Sequence, residues 1–357
     1  MRSAVSAGAV PQLRSAARVL AAGIPLAVTA GLTLPLQARI NGELGQRLQD
    51  PLLAGLFSFG GAALIMAAAT LVLPSGRAAF VKLLSGTREG TIPWYFHAAG
   101  VIGAYFIFAQ TSFVAGVGIA IYTVAVVTGQ TVSGLAVDRI GLGPGGKRAI
   151  TALRVLGVLL TVGAVFWAVS PRLSGVPDPA AMLVPLALVV LAGILMTFQH
   201  AVNGKIAAQV RSPIPGTLIN YVVGSLGLAL IWVLKLALTE GIPTLPAEPW
   251  LYTGGALGCI NLVLSAQLIR HIGVLLTGLS MIAGQLIGAL LMDWLLPVAG
   301  SAIYPQTVFG TLLTLAAIVV AALPGSALRK FWQPGSGLRR SRLRRSRLRR
   351  SRQRRLP

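Results

Sequence analysis

The sequence predicts an all-α polytopic membrane protein of ten transmembrane helices, arranged as two inverted five-helix repeats. Three observations predict it: an apolar composition, ten windows long enough to cross a bilayer, and an internal repeat with an odd number of spans. The 357 residues are 55% hydrophobic and only 11% charged, with a mean hydropathy of +0.79. A soluble chain of this length leaves about a quarter of its surface in water and cannot hide that much apolar material. Lipid is the solvent that suits this composition.

A hydrocarbon core of about 30 Å needs about 20 apolar residues at 1.5 Å each. Windows of that size fall at 19–40, 51–73, 93–115, 117–139 and 150–170, then at 181–203, 213–238, 250–270, 273–296 and 303–324. Loop signals separate them at Pro74-Ser75-Gly76, Gly143-Pro144-Gly145-Gly146, Pro171 and Pro177-Asp178-Pro179. Between the third and fourth spans only Ala115-Gly116-Val117-Gly118 intervenes, which reads as a tight interfacial turn. The chain thus divides into an N-terminal segment (1–18), a first repeat (19–170), a linker (171–180), a second repeat (181–324) and a tail (325–357). Arg14 and Arg18 ahead of an apolar stretch also suit a secretory signal. The repeat argues instead that this stretch is a span.

Displacing the sequence by 162 lays the first two spans on the sixth and seventh without a gap. Gln37, Asn41, Gly42 and Pro51 meet Gln199, Asn203, Gly204 and Pro213, and Phe59 meets Tyr221. At a shift of 155, Gly129, Gln130, Leu135 and Asp138 meet Gly284, Gln285, Leu290 and Asp293. Gly157 and Thr161 meet Gly310 and Thr314, and the shift shrinks only between spans, as loop deletions would make it. Five spans per half force the second half to enter from the opposite side, the inverted arrangement common in secondary transporters. Lys and Arg in short loops set the orientation. With the N-terminus inside, Arg77, Lys82, Arg88, Arg139, Lys147, Arg148, Lys205, Arg211 and Arg270 are cytoplasmic, against Arg39, Arg47, Arg172 and Lys235 outside. Both termini are then cytoplasmic.

The stretch from Leu36 to Gly45, followed by Pro51-Leu52-Leu53-Ala54 and Ser58-Phe59, resembles the YdcZ-like membrane proteins, a family of the bacterial drug/metabolite transporter superfamily. The resemblance covers about residues 19–324 and recurs in the second half from Gln199 to Gly204. It implies a bacterial inner-membrane transporter fold with a central cavity, and no particular substrate. One departure is that Lys205 stands where the first copy has Glu43.

Gln37 and Asn41 lie four apart, so they share one helix face, and Gln199 and Asn203 repeat the pair. Such amides either join helices, at about 0.6–2 kcal/mol per bond, or line a cavity. Gln130 and Gln285 lie mid-span after glycines and carry the same two readings. Tyr105, Tyr122 and Tyr221 fall within or near their spans and are candidate cavity walls, Tyr122 and Tyr221 being carried into the site set. These six amides with Tyr122 and Tyr221 are the expected substrate-binding set. Glu43, Asp138 and Asp293 are the candidates for coupling transport to an ion, since intramembrane carboxylates are functional candidates by default. Asp138 and Asp293 sit at span ends, where anchoring or ion pairing is the competing role. No carboxylate sits mid-span, which argues against a buried Glu exchanging protons for a lipophilic cation. Tryptophans 94, 167, 232, 250 and 294 fall near span ends, where aromatic rings favour the interface.

Other classes find little support. Cys259 is the single cysteine, the three histidines are scattered, and neither metal nor cofactor is expected. A Walker loop is missing, so a self-contained ATP-driven pump is excluded. An enzyme would want a mid-span catalytic cluster. A non-transporting scaffold or sensor is the alternative to a transporter, and monomer and homodimer both remain open. The formal charge of +22 is uneven: from Arg329 onward the chain has thirteen basic residues and no carboxylate. That tail reads as disordered: either it lies on anionic lipid, at about 1 kcal/mol per basic residue near the surface, or it is a neutral expansion of the Arg-Arg-Ser-Arg-Leu repeat, and specific nucleic acid is not expected. The topology is checked directly by reporter fusions at Thr87 and Gly175, which should report opposite sides of the membrane; the same compartment for both would end the inverted-repeat reading.

Overall fold

The computed structural model describes residues 9–322, except 144, 145, 148, 175–178, 239, 240, 273 and 297–303. The Arg-rich tail and the centre of the linker lie outside the described residues. Within them, the chain forms eleven α-helices. These are α1 (Ala9–Leu48), α2 (Pro51–Val72), α3 (Pro74–Arg88), α4 (Ala99–Val117), α5 (Ile119–Ile140), α6 (Ala152–Ser174), α7 (Pro179–Val210), α8 (Ile214–Leu238), α9 (Gly254–Ile272), α10 (Val274–Leu295) and α11 (Pro305–Ala322). Short 3₁₀ turns, Trp94–Ala98 and Pro249–Tyr252, lead into α4 and α9. Five stretches are long and apolar enough to cross a membrane: Pro51–Val72, Trp94–Val117, Ile119–Ile140, Leu183–Val210 and Ile214–Leu238. Shorter apolar helices run over Ala152–Ala168 and Ser280–Leu295. Leu64, Leu226, Leu230 and Val233 on α2 and α8 are all more than half exposed, as a lipid-facing surface requires. The protein is a helical membrane protein.

The helix junctions follow local chemistry. Gln49 (φ 51°) and Arg211 (φ 63°) are the two non-glycine residues at positive φ among the described residues, and they lie 162 apart. Each is followed by a capping residue and a proline. Asp50 accepts the Leu52 and Leu53 amides at 3.1 and 3.2 Å, and Pro51 opens α2 without an N–H to waste. Ser212 accepts the Ile214 amide at 3.3 Å across Pro213. The tight turn expected near 115–118 is a single residue: Gly118, at φ 83°, separates α4 from α5.

Three expectations are corrected. The helix that holds the first expected span is longer than that window, running Ala9–Leu48 over 40 residues with Pro25 and Pro35 inside it. Prolines inside membrane helices are tolerated where neighbours satisfy the freed backbone groups. One turn before Pro35, Asn261 of α9 donates to the Ala30 carbonyl at 3.0 Å and ties this part of α1 to its neighbour. Pro74-Ser75-Gly76 is not a loop but the start of α3, because proline at the first helical position removes only an amide that would be unpaired anyway. Gly76, Ala79, Leu83 and Gly86 bury one stripe of this short helix, while Arg77, Lys82 and Arg88 remain outside the buried stripe. Pro171, read as a break, lies within the last turn of α6.

Packing runs mainly between the two halves. Helix α1 lies on α9 and α10, as α7 lies on α4 and α5; α2 pairs with α8, and α6 with α11. The closest approaches involve glycine. A Cβ at Gly31 or Gly284 would strike backbone carbonyls of Met281 or Val28 across the α1–α10 seam, and one at Gly193 or Gly129 would strike Val126 or Val190 across α7–α5. Gly310 is held as tightly against Ala164 and Ala168 of α6. By contrast, nothing lies within 4 Å of a Cβ at Gly60, Gly61 or Gly163. Gly31→Ala and Gly129→Ala should therefore destabilise by about 1–3 kcal/mol or more, since backbone cannot yield as a side chain can. Gly60→Ala and Gly163→Ala should leave the melting temperature of purified protein unchanged or slightly raised.

Candidate functional site

The amides on α1 and α7 converge on an aromatic pair. Phe59 of α2 and Tyr221 of α8, both buried, meet edge to face with centroids 5.0 Å apart and planes at 82°. At one end of the pair, a Cβ at Gly258 of α9 would lie 2.8 Å from the Tyr221 hydroxyl and 3.1 Å from Gln37 Nε2. At the other end, a Cβ at Gly103 of α4 would press on Gln199 Nε2 and lie 3.0 Å from the Phe59 ring. Gly103 and Gly258 are 155 apart, so the row from Gln37 through Tyr221 and Phe59 to Gln199 is built from equivalent positions of the two halves. Glycine at both ends lets α4 and α9 approach closely enough to seat the amides.

The hydrogen bonding of the row is incomplete. Gln199 Nε2 donates to the Ala99 carbonyl at 3.2 Å and to Asn220 Oδ1 at 3.1 Å. Gln37 Oε1 and Asn220 Nδ2 are buried without a partner in the protein. One turn beyond Gln37, Asn41 Nδ2 donates to Gln110 Oε1 at 2.7 Å, both side chains being fully enclosed, while Asn41 Oδ1 is unpartnered against Gly254. Asn203 is only half-buried and its Nδ2 lacks a partner. A buried polar atom left unpaired costs about 1–3 kcal/mol, so these atoms are places where a ligand or water would be welcome.

The other expected residues lie elsewhere. Gln130 Nε2 donates to Met196 Sδ at 3.3 Å in the α5–α7 seam, and Gln285 is buried in the α1–α10 seam near Gly31. Tyr122 packs in a separate core cluster with Phe106, Val189 and Met196, its hydroxyl unpartnered. Tyr105 instead donates to the Leu188 carbonyl at 3.1 Å. The structure thus separates Tyr122, Gln130 and Gln285 from the Gln37–Gln199 row. Among the described residues, two clefts, one of about 450 Å³ against α3 and one of about 190 Å³ beside Asp50, are lined by none of the six amides.

Each carboxylate candidate has a defined partner. Glu43 is clamped by Arg39 at 2.7 Å and Arg47 at 2.8 Å, and Arg47 also pairs with Glu248. Asp138 pairs with Arg154 at 2.7 Å, not with its neighbour Arg139. Asp293, buried, accepts the Ile119 and Ala120 amides at 3.1 and 2.8 Å and so caps α5 from α10. Lys205, opposite Glu43 in the repeat, stands 5.8 Å from the Phe96 ring centroid. Of the tryptophans, 94, 167, 250 and 294 are exposed as interfacial anchors would be, but Trp232 turns inward to donate to Asp50 at 3.0 Å.

Sequence reasoning missed Gln110, Asn220 and Asp50. Their repeat mates are Ser265, Ser58 and Ser212, so a search for paired amides and paired acids passes over them. Asp50 also binds Lys235 at 2.9 Å. Burial pushes its carboxyl up, but the Lys235 ammonium, the Leu53 amide and the Trp232 indole outweigh this and hold it below its ordinary value. A depressed carboxylate stabilises the fold above its unfolded value, about 3.9, and that contribution is lost as pH falls through the lower folded value. Acid melting should therefore steepen below about pH 4, and Asp50→Asn should lower stability at neutral pH while flattening that acid limb.

No curated protein matches the chain. It does match the family described as "Putative inner membrane exporter, YdcZ" over residues 22–167 and 184–320, which hold every residue of the Gln37–Gln199 row. With its lipid-facing helices and paired inner seams, the chain belongs to this YdcZ family of drug/metabolite-type membrane transporters.

Proposed function

We propose that the protein exports a small molecule across the inner membrane by alternating access between two inverted five-span repeats, ten spans in all, with both termini cytoplasmic. Two observations support the repeat. The family matches the two halves separately, and the seams α1–α10 and α7–α5 are made by equivalent glycines. The substrate site is the row Gln37, Tyr221, Phe59 and Gln199, with Asn41, Asn203, Gln110 and Asn220 beside it. The observation that carries this is the meeting of two repeat-related glutamines on one aromatic pair, with unpartnered polar atoms at the junction. Tyr122, Gln130 and Gln285 line the adjoining seams that must slide.

Differences between equivalent contacts support a state closed at the outer end. Helix α1 packs on α4 there, with Asn41 bonded to Gln110 and Gly42 and Gly45 against Val114 and Thr111. Among the described residues α7 and α9 make no comparable contact, and Ser265, the mate of Gln110, bonds its own helix at Leu262. Asp293 caps α5, whereas Asp138 is taken by Arg154. Reversal to the outward state would break the first set of contacts and engage their mates. Asp293 then serves as an outer latch and Asp138 as its inner counterpart, and ion coupling need not pass through the amide row.

The test is transport in proteoliposomes, using a ligand drawn from a thermal-shift screen of metabolites and drugs. Gln37→Ala and Gln199→Ala should each cut transport per folded molecule by about tenfold while leaving folded protein in the membrane. Lower stability with normal transport per folded molecule would make the two glutamines helix-joining groups and move the site elsewhere.

A further inference from the structure

Helix α3 presents an exposed face that is both basic and apolar. At 15 residues it is about 22 Å long, too short to cross a hydrocarbon core of about 30 Å. The chain turns sharply into it: Leu73 is extended, and a Cβ at Gly76 would lie 3.0 Å from the Thr70 Cα, so α3 folds back against the last turn of α2. Its inner stripe packs on α7 and α8, Ala79 and Leu83 sharing one cluster with Ile206, Val210 and Ile219. At about 100° per residue, Arg77, Val81, Leu84 and Arg88 lie within about 60° of one another on the other side. All four are exposed, Val81 by 65%. Among the described residues Arg77, Lys82 and Arg88 form no ion pair, and Glu89 is the one acid between Pro74 and Ala98. Just beyond the helix Trp94 and Tyr95 are exposed as well, edge to face at 6.2 Å. The equivalent connection of the second half, 239–248, holds Glu240 and Glu248, no Lys or Arg, and no helix among its described residues.

We propose that α3 lies along the membrane surface and docks this face on anionic phospholipid. Val81 and Leu84 enter the boundary between headgroups and acyl chains, while Arg77 and Arg88 reach the lipid phosphates, as the side chains of interfacial amphipathic helices do. Lys82, at the rim of the face, adds a third cation. Trp94 and Tyr95 have rings that favour the same interface. Charge selects acidic lipid over lipid in general: three cations against one acid gain from negative headgroups, whereas the acidic connection of the second half would gain nothing. Because α3 rests on α7, and Gln209 of α7 donates to the Thr91 carbonyl at 3.3 Å, a docked α3 also steadies the end of α7. The inference stands apart from the Gln37–Gln199 row and does not depend on it.

The test uses the full chain in neutral detergent micelles, titrated with phosphatidylglycerol or with phosphatidylcholine. Phosphatidylglycerol should raise the melting temperature of the wild type more than phosphatidylcholine does. Arg77→Gln and Arg88→Gln should each raise about fivefold the phosphatidylglycerol concentration that gives half of this effect, the worth of one basic residue near an acidic surface. Arg77→Lys, which keeps the charge, should titrate as the wild type does, and so should Lys147→Gln, which removes an exposed cation from the α5–α6 connection. Depth is read in nanodiscs containing phosphatidylglycerol, from a bimane label on Val81→Cys, with the wild type as the blank for the buried Cys259. Lipid brominated high on its acyl chains should quench that label. An equal response to the two lipids, a response indifferent to Arg77 and Arg88, an equal loss in Lys147→Gln, or an unquenched label overturns the inference. A dimer that shields the label in either lipid overturns it too, because the face is then an interface between two copies of the chain.

Discussion

Between helices in lipid there is no hydrophobic driving force, because the surrounding chains are as apolar as the side chains. What remains is close van der Waals contact and the polar bonds that close contact permits. In this protein that contact is concentrated where Gly31 meets Gly284 and where Gly129 meets Gly193, with backbone against backbone. The rest of the arrangement depends on those two seams. They bring α1 beside α9 and α10, and α7 beside α4 and α5, so that Gln37 and Gln199 arrive at the Phe59–Tyr221 pair from opposite sides. A methyl group in either seam would separate the helices and pull the glutamines from the pair.

The polar groups fall into two classes by what surrounds them. Asp50 and Asp293 accept helix-start amides, and Glu43 is paired with Arg39 and Arg47 on its own helix. Gln37, Asn41 and Asn220 are buried with atoms left over, and a fold meant only to be stable would leave fewer such atoms. In the proposed transport reading, the second class is where a ligand would be gained or lost.

Much of the frame was legible in the chain. The apolar windows located the long helices, the Gly118 turn was expected within a residue or two, and the paired Gln-x-x-x-Asn-Gly stretches pointed to the family. The misreadings share a cause. At Pro74 and Pro171 the same residue suits either a break or the first or last turn of a helix; at Pro74 the buried stripe of Gly76, Ala79 and Leu83 decides for helix. Asp138, read at a span end where ion pairing competes with coupling, pairs with Arg154 of the next helix, a partner that position along the chain does not name.

By itself, the sequence determined that this is a helical membrane protein with a duplicated pattern, since hydropathy and repeat spacing are properties of the chain that no tertiary contact can alter. It also marked Gln37 and Gln199 as a related pair. Only the tertiary structure decided that these two share one aromatic pair while Gln130, Gln285 and Tyr122 do not, and that Gln110 and Asn220 complete the cluster. The reason is geometric: a side chain's position along a helix follows from 3.6 residues per turn, but which neighbour it meets depends on how helices distant in sequence cross, and that is set by glycine seams whose partners the sequence does not name.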